Sequence, residues 1–202
     1  MNIQVQCCGL VMMGLILYFY LRQKTVGLYT EKIFLRTLIV MITSVVLDVL
    51  SIVAITYRSF FPEIILYGIC KTYLVSIIWV CFCALSYVIT DLYNEKEYAK
   101  AIKRYFFIKC FASLVVYILP ISYYHDESVV FTYGPSVLMT YVFSVLFIIC
   151  ILYHIIRYSK QLNAKRRDAV LMWMIAWLVA AGIQFVNNEL LLVGFACSLG
   201  MM

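Results

Sequence analysis

Long apolar runs separated by short charged blocks constrain this chain more than any other feature of it. The runs fall at 5–21, 34–57, 64–92, 105–122, 130–158 and 170–184, and a last one begins at 190 and is still apolar at 202. A transmembrane helix needs about 20 predominantly apolar residues to cross a hydrocarbon core about 30 Å thick. The pattern predicts an all-α integral membrane protein, a seven-transmembrane helix bundle that forms one membrane module over 1–202. The seventh helix is expected to be truncated: residues 190–202 rise only about 20 Å, so it either stops inside the bilayer or is cut short. Composition agrees, with 65% apolar and 13% charged residues against about 45–50% apolar in soluble domains. Seven spans leave no room for a catalytic domain of ordinary size.

The basic residues give an orientation. Arg22, Lys24, Lys32 and Arg36 flank the first loop, Lys96, Lys100, Lys103 and Arg104 the third, and Arg157, Lys160, Lys165, Arg166 and Arg167 the fifth, so thirteen of sixteen lie on one side. The intervening loops hold Arg58 with Glu63, then His125, Asp126 and Glu127, then Asn187, Asn188 and Glu189. By the positive-inside rule the N-terminus is outside and the C-terminus cytoplasmic, as in a multi-pass protein of a bacterial plasma membrane. Lys109 falls in the first turns of the fourth span, where its stem is expected to snorkel to the cytoplasmic interface. His154, near the inner end of the fifth, reads as an interfacial histidine rather than a proton relay.

Several function classes drop out. A net charge of +6 reads here as loop sidedness, not as a nucleic-acid surface. The eight cysteines lie almost entirely within apolar runs and read as small packing residues. Cys81 and Cys83 project to different sides of a helix, and no second pair or histidine lies nearby in sequence, so no metal site is expected. No basic residue precedes the first run and no small-residue cleavage pattern follows it, which argues against a cleaved signal peptide. No nucleophile–base pair and no glycine-rich phosphate loop suggests an enzyme site or a cofactor. A Schiff-base lysine is missing from spans six and seven. Pro62, Pro120 and Pro135 lie at span ends, so no midplane break points to a transporter. Ala176 with Ala180 and Ala196 with Gly200 offer close-approach faces, for packing within the chain or for a homodimer.

Two ionisable residues lie within spans away from the basic side, Asp48 and Lys71. An intramembrane charge is a functional candidate by default, because it is costly there unless partnered. Spans two and three are consecutive and antiparallel, and rise per residue puts Asp48 and Lys71 about 13 Å and about 11 Å below the outer ends. A pair is therefore geometrically open, either as a salt bridge that locks the hairpin or as part of a pocket for a small ligand in the outer half. Gln184, followed by Asn187, Asn188 and Glu189, closes span six near the same side and joins Asp48 and Lys71 as a candidate ligand-binding residue; an interfacial cap is its alternative role.

Four stretches carry a resemblance: LYTEKIFLRTL at 28–38, LDVLSIVAI at 47–55, CKTYLVSIIWV at 70–80 and QFVNNELLLVGFACSLGMM at 184–202. Together they resemble the N-terminal seven-helix input region of Firmicutes diguanylate cyclases, where a membrane module precedes a cytoplasmic GGDEF domain, sometimes with an EAL domain after it. Related regions precede histidine kinases. The resemblance implies a sensory module that controls a cytoplasmic output domain, cyclic di-GMP synthesis or a kinase, which is not present in this sequence; this chain itself is expected not to be an enzyme. A small polytopic transporter or channel subunit is the alternative. Topology is directly testable: reporter fusions after Lys24, Lys100 and Lys165 should behave as cytoplasmic and those after Ser59, Asp126 and Asn188 as external, and a cytoplasmic signal from the Asp126 fusion would contradict the span count or the orientation.

Overall fold

The segment Glu63–Thr90, labelled α3, is apolar on every side, and that decides the layout. Leu66, Leu74, Ile78, Cys81 and Leu85 are buried along one side, while Val80, Cys83, Ala84 and Val88 are buried around the rest. A helix that is apolar all round belongs in the interior of a bundle. In the computed structural model it is the axis of the protein. Against it pack α2 (Tyr29–Thr56), α4 (Glu95–Ile118), α5 (Pro135–Arg157) and α6 (Ala164–Val186), while α1 (Gln4–Arg22) packs chiefly on α2. The structure describes residues 4–22, 29–90, 92–93, 95–125, 130–159, 162 and 164–186.

The protein is mostly helical, 88% of the described residues. Among the described residues three helices are long and apolar enough to cross a membrane, α2, α3 and α5. Large apolar side chains such as Val11, Phe107, Phe111, Leu138, Ile149 and Ile175 face outward, the surface a bilayer solvates and water does not. These apolar helices are those of a membrane protein, in which the described residues support three of the seven expected spans by length and composition. The run 5–21 lies in a shorter helix. In α4 the N-terminal part is charged, and the apolar part, 105–118, rises only about 21 Å and includes Lys109. The run 170–184 lies within α6, and 190–202 falls outside the described residues.

The boundary between the fourth and fifth runs also moves. Residues 122 and 130–133 are not helical: Ser122–His125 (β1) and Val130–Tyr133 (β2) form an antiparallel hairpin in which Ser122 faces Tyr133 and His125 faces Val130. Aromatic and β-branched residues favour such pairing, and the Tyr124 and Phe131 rings stack with centroids 4.8 Å apart. Pro120 stops α4, since the residue before a proline leaves the helical region. Gly134, at φ 116° and ψ −175°, occupies backbone space open essentially to glycine, and Pro135 then opens α5 at its first turn with its preset φ. The hairpin docks on the adjacent ends of α2 and α3, where Ile121 and Tyr123 cover Ala54, Ile55, Leu66 and Cys70.

Within the helices, hydroxyls are satisfied locally. Thr37, Thr43, Thr72, Ser86, Ser113 and Thr140 each donate to the carbonyl four residues back, which lets polar side chains enter an apolar bundle without a partner helix. The direct hydroxyl bridge between α2 and α3 is Ser44 to Ser76, 2.8 Å between their oxygens. Because neighbouring helices run antiparallel, Arg36, Lys100, Lys103, Arg104, Arg157 and Arg167 gather at the end opposite the hairpin.

Candidate functional site

The Ser44–Ser76 bridge fixes where Asp48 and Lys71 stand relative to each other. In antiparallel helices with equal rise, four residues on from Ser44 is level with four residues back from Ser76, so Asp48 is level with Thr72, next to Lys71. The matched depth read from the sequence therefore holds. The pairing does not. At about 100° per residue, Lys71 and Tyr73 project from α3 about 200° apart, and it is the Tyr73 side that meets Asp48.

Asp48 is buried, 4% exposed. Its carboxyl accepts hydrogen bonds from the side chains of Tyr73 on α3 and Gln6 on α1, and Tyr141 of α5 lies within electrostatic reach of it. Its backbone carbonyl accepts from the Ser51 hydroxyl at 2.8 Å. Among the described residues no lysine, arginine or histidine stands within ion-pair distance of this carboxyl; the ion pairs there are Arg58–Glu63 and Arg167–Asp168, both on the surface. The node thus ties α1, α2 and α3 together through neutral donors. Tyr20, which donates to the Glu31 carbonyl at 2.9 Å, holds the other end of α1 on α2.

Lys71 faces the opposite way and is fully buried. Its ammonium donates to the Val116 carbonyl at 2.8 Å, to the Ser136 hydroxyl at 3.0 Å, and to the Leu119 carbonyl. Those carbonyls belong to the end of α4, where the last turn of a helix has no acceptor-satisfying amides of its own. A cation there also meets the negative end of the helix dipole. An ammonium has three N–H donors, and all three are used. The Ser136 hydroxyl in turn donates to the Val116 carbonyl at 2.8 Å, and the Tyr67 ring lies 5.0 Å from the ammonium. Lys71 is a brace that holds α3 to the α4–α5 junction, with no donor left for a ligand.

Gln184 lies in α6, but its side chain, like Asn187, Asn188 and Glu189, falls outside the described residues. The structure therefore does not bring Asp48 and Lys71 together: Asp48 sits with Gln6 of α1 and Tyr73 of α3, Lys71 with α4 and α5.

Two further polar positions lie against aromatic rings. Lys109 does not snorkel out of the bundle. Its stem leans toward the N-terminal end of α4, as helical side chains do, and the ammonium stops among three rings, 3.7 Å from the Trp79 centroid, 4.1 Å from Phe106 and 4.9 Å from Phe82. Cation–π contact of this kind stabilises a desolvated ammonium by about 2 kcal/mol. The signal was present as two pairs at three-residue spacing, Trp79 with Phe82 and Phe106 with Lys109. His154, in the last turn of α5, is buried there against aromatic rings. Its Nε2 is 2.9 Å from the Tyr105 hydroxyl, and its ring stacks on Tyr158. Beside it, outside the helices, the Tyr93 hydroxyl is pushed up to about 12 by donating to Tyr158 and by burial.

No family model matches this chain, and comparison with the curated proteins and with the solved structures finds no similar one.

Separate neighbours have a measurable consequence. Lys71→Met takes the ammonium from both carbonyls at the α4 end, leaving Val116 with the Ser136 hydroxyl and Leu119 with the Tyr67 hydroxyl at 3.5 Å, and should destabilise the detergent-solubilised protein by about 2 kcal/mol, the cost of one poorly satisfied buried acceptor. Asp48→Asn keeps a polar partner for its neighbours and should cost less. Denaturation of the single and double variants should give losses that add to within about 0.5 kcal/mol; a coupling well above that would mean the two side chains do interact.

Proposed function

We propose that this chain is the sensory input module of a bacterial signalling protein, with the hairpin end outside the plasma membrane and the basic end in the cytoplasm. In this reading the chain forms seven spans, with 190–202 contributing the last, and it sets the activity of a cytoplasmic output domain that follows it. The observation that carries the reading is the Asp48 node. An ionisable side chain buried among apolar helices is costly and marks a functional position by default, and this one links three helices while the other buried charge at the same depth serves as a brace.

A sensor requires two helix arrangements that a stimulus distinguishes. The contacts suggest which element moves: α1 packs chiefly on α2, and its buried polar tie to the rest is Gln6 to Asp48. The core of α2, α3, α4 and α5, pinned by Lys71, would stay fixed. The resemblance to the input regions of GGDEF proteins supplies the nature of the output, a diguanylate cyclase or a histidine kinase. A small transporter or channel subunit is less well supported, because α2, α3 and α5 run as continuous helices of 28, 28 and 23 residues, whereas transporter sites are typically built at broken ones.

The test is a chimera in which a diguanylate cyclase catalytic domain follows residue 202, expressed in cells without other cyclases. Cyclic di-GMP should differ severalfold between the parent and Asp48→Asn or Tyr73→Phe variants present at equal levels in the membrane. Output that is the same in all of them would refute the sensory reading, and substrate or ion flux through proteoliposomes of the unfused chain would replace it with the transporter.

A further inference from the structure

Four side chains able to carry charge near neutral pH are buried among the described residues: Asp48, Lys71, Lys109 and His154. Two have their charge answered: Lys71 spends its three donors on α4 and α5, and Lys109 faces three aromatic rings. His154 bonds Tyr105 through Nε2, its Nδ1 has no partner among the described residues, and as a neutral imidazole it needs no counter-charge. Among the described residues only neutral groups surround the Asp48 carboxyl. Facing it are Gln6 from α1, Tyr73 from α3 and Tyr141 from α5. On α2 itself the nearest polar side chain, Ser51, bonds the Asp48 backbone and not the carboxyl. The hairpin, which also packs on α2, docks further toward the end of that helix, at Ala54 and Ile55.

We propose that Asp48 is the ligand site of the module and that its ligand is the proton. The inference rests on the sensory reading above and names its stimulus. The chemistry is a single proton transfer: a carboxylate oxygen of Asp48 takes a proton from hydronium at the hairpin end, the hydronium O–H bond breaks as the carboxyl O–H bond forms, a water molecule is left, and the side chain passes from one negative charge to neutral. No cation or redox partner is needed.

The two forms differ in what they ask of α1. A neutral carboxyl is compatible with a dry seam between α1, α2 and α3, held by the Gln6 and Tyr73 contacts. An ionised carboxylate in the same place has no cation to answer it, and an uncompensated buried charge draws in water or moves toward it. Water reaches Asp48 most directly along the seam that α1 covers, since on its other side stands the α3–α4–α5 core pinned by Lys71. Loss of the proton therefore loosens α1, and gain of the proton seats it. The sign follows from linkage: the seated form binds more protons than the open form, so it is favoured as pH falls and lost as pH rises.

The experiment follows amide exchange of α1 in lipid nanodiscs from about pH 5 to about pH 9, corrected for the intrinsic pH dependence of exchange. In the parent protein the opening of α1 should grow with pH, approaching about tenfold per pH unit where the carboxylate dominates, the slope of a one-proton linkage. Asp48→Asn, neutral at every pH, should keep α1 protected throughout. Tyr73→Phe removes one neutral donor to the ionised form and should move the transition to higher pH, a shift that remains readable if the Asn variant does not fold. An α1 that is insensitive to pH in the parent, the same pH response in Asp48→Asn, or an unmoved transition in Tyr73→Phe would each overturn the proposal. The two readings fail separately. A chimera whose output depends on Asp48 with an α1 indifferent to pH would remove the proton and keep the sensor, whereas a pH-responsive α1 with invariant output would keep the proton site and remove the sensor.

Discussion

Inside a bilayer no water is at hand to take a hydrogen bond that the chain leaves open. Helix interiors meet that constraint by their own backbone, and most hydroxyls here meet it by bonding one turn back. The difficulty is concentrated where a helix ends below the surface of its neighbours. The end of α4 is level with Lys71, eight residues inside α3, so its last carbonyls are buried and need donors from neighbouring side chains. The Ser136 and Tyr67 hydroxyls supply one each, and Lys71 bonds both carbonyls at once and reaches Ser136 at the start of α5. One side chain thereby fixes the height of three helices, and the hairpin can fold over the step that the short α4 leaves.

That brace divides the bundle into a part that is held and a part that is tied. On one face of α3 the contacts are charged, multiple and saturated. On the other, the link from α1 to the interior passes through an acid and neutral donors, Gln6 and Tyr73. The first arrangement depends on the Lys71 ammonium and its three acceptors, while the second, in the reading proposed above, changes with the proton on Asp48. The brace and the proposed responsive site are thus two residues of opposite charge type at one depth, separated by the rotation of a helix rather than by distance along it.

How far the sequence discloses this depends on which coordinate is asked of it. Depth is legible, because rise per residue is constant; Asp48 and Lys71 are level as their positions imply. Rotation is not legible for α3, since a helix apolar on all sides offers no stripe to show which side meets which neighbour, and two adjacent opposite charges then look like a pair. The hairpin was hidden for a related reason: 122–125 and 130–133 are aromatic and β-branched and merge into the apolar runs on either side, although Gly134 followed by Pro135 marks where α5 must start. Lys109 was misplaced because a lysine stem near a basic end is expected to reach for water, and the rings that intercept it come from another helix. The Gln184 side chain lies beyond what the structure describes.

The rotation of α3 against α2 sets the separation of Asp48 from Lys71 and the different neighbours they meet. Disulfide formation in native membranes measures it directly, in a background with the eight native cysteines replaced. Ser44→Cys with Ser76→Cys, whose oxygens are 2.8 Å apart, should cross-link readily, and Asp48→Cys with Lys71→Cys should not. Cross-linking of the second pair in preference to the first would contradict the account.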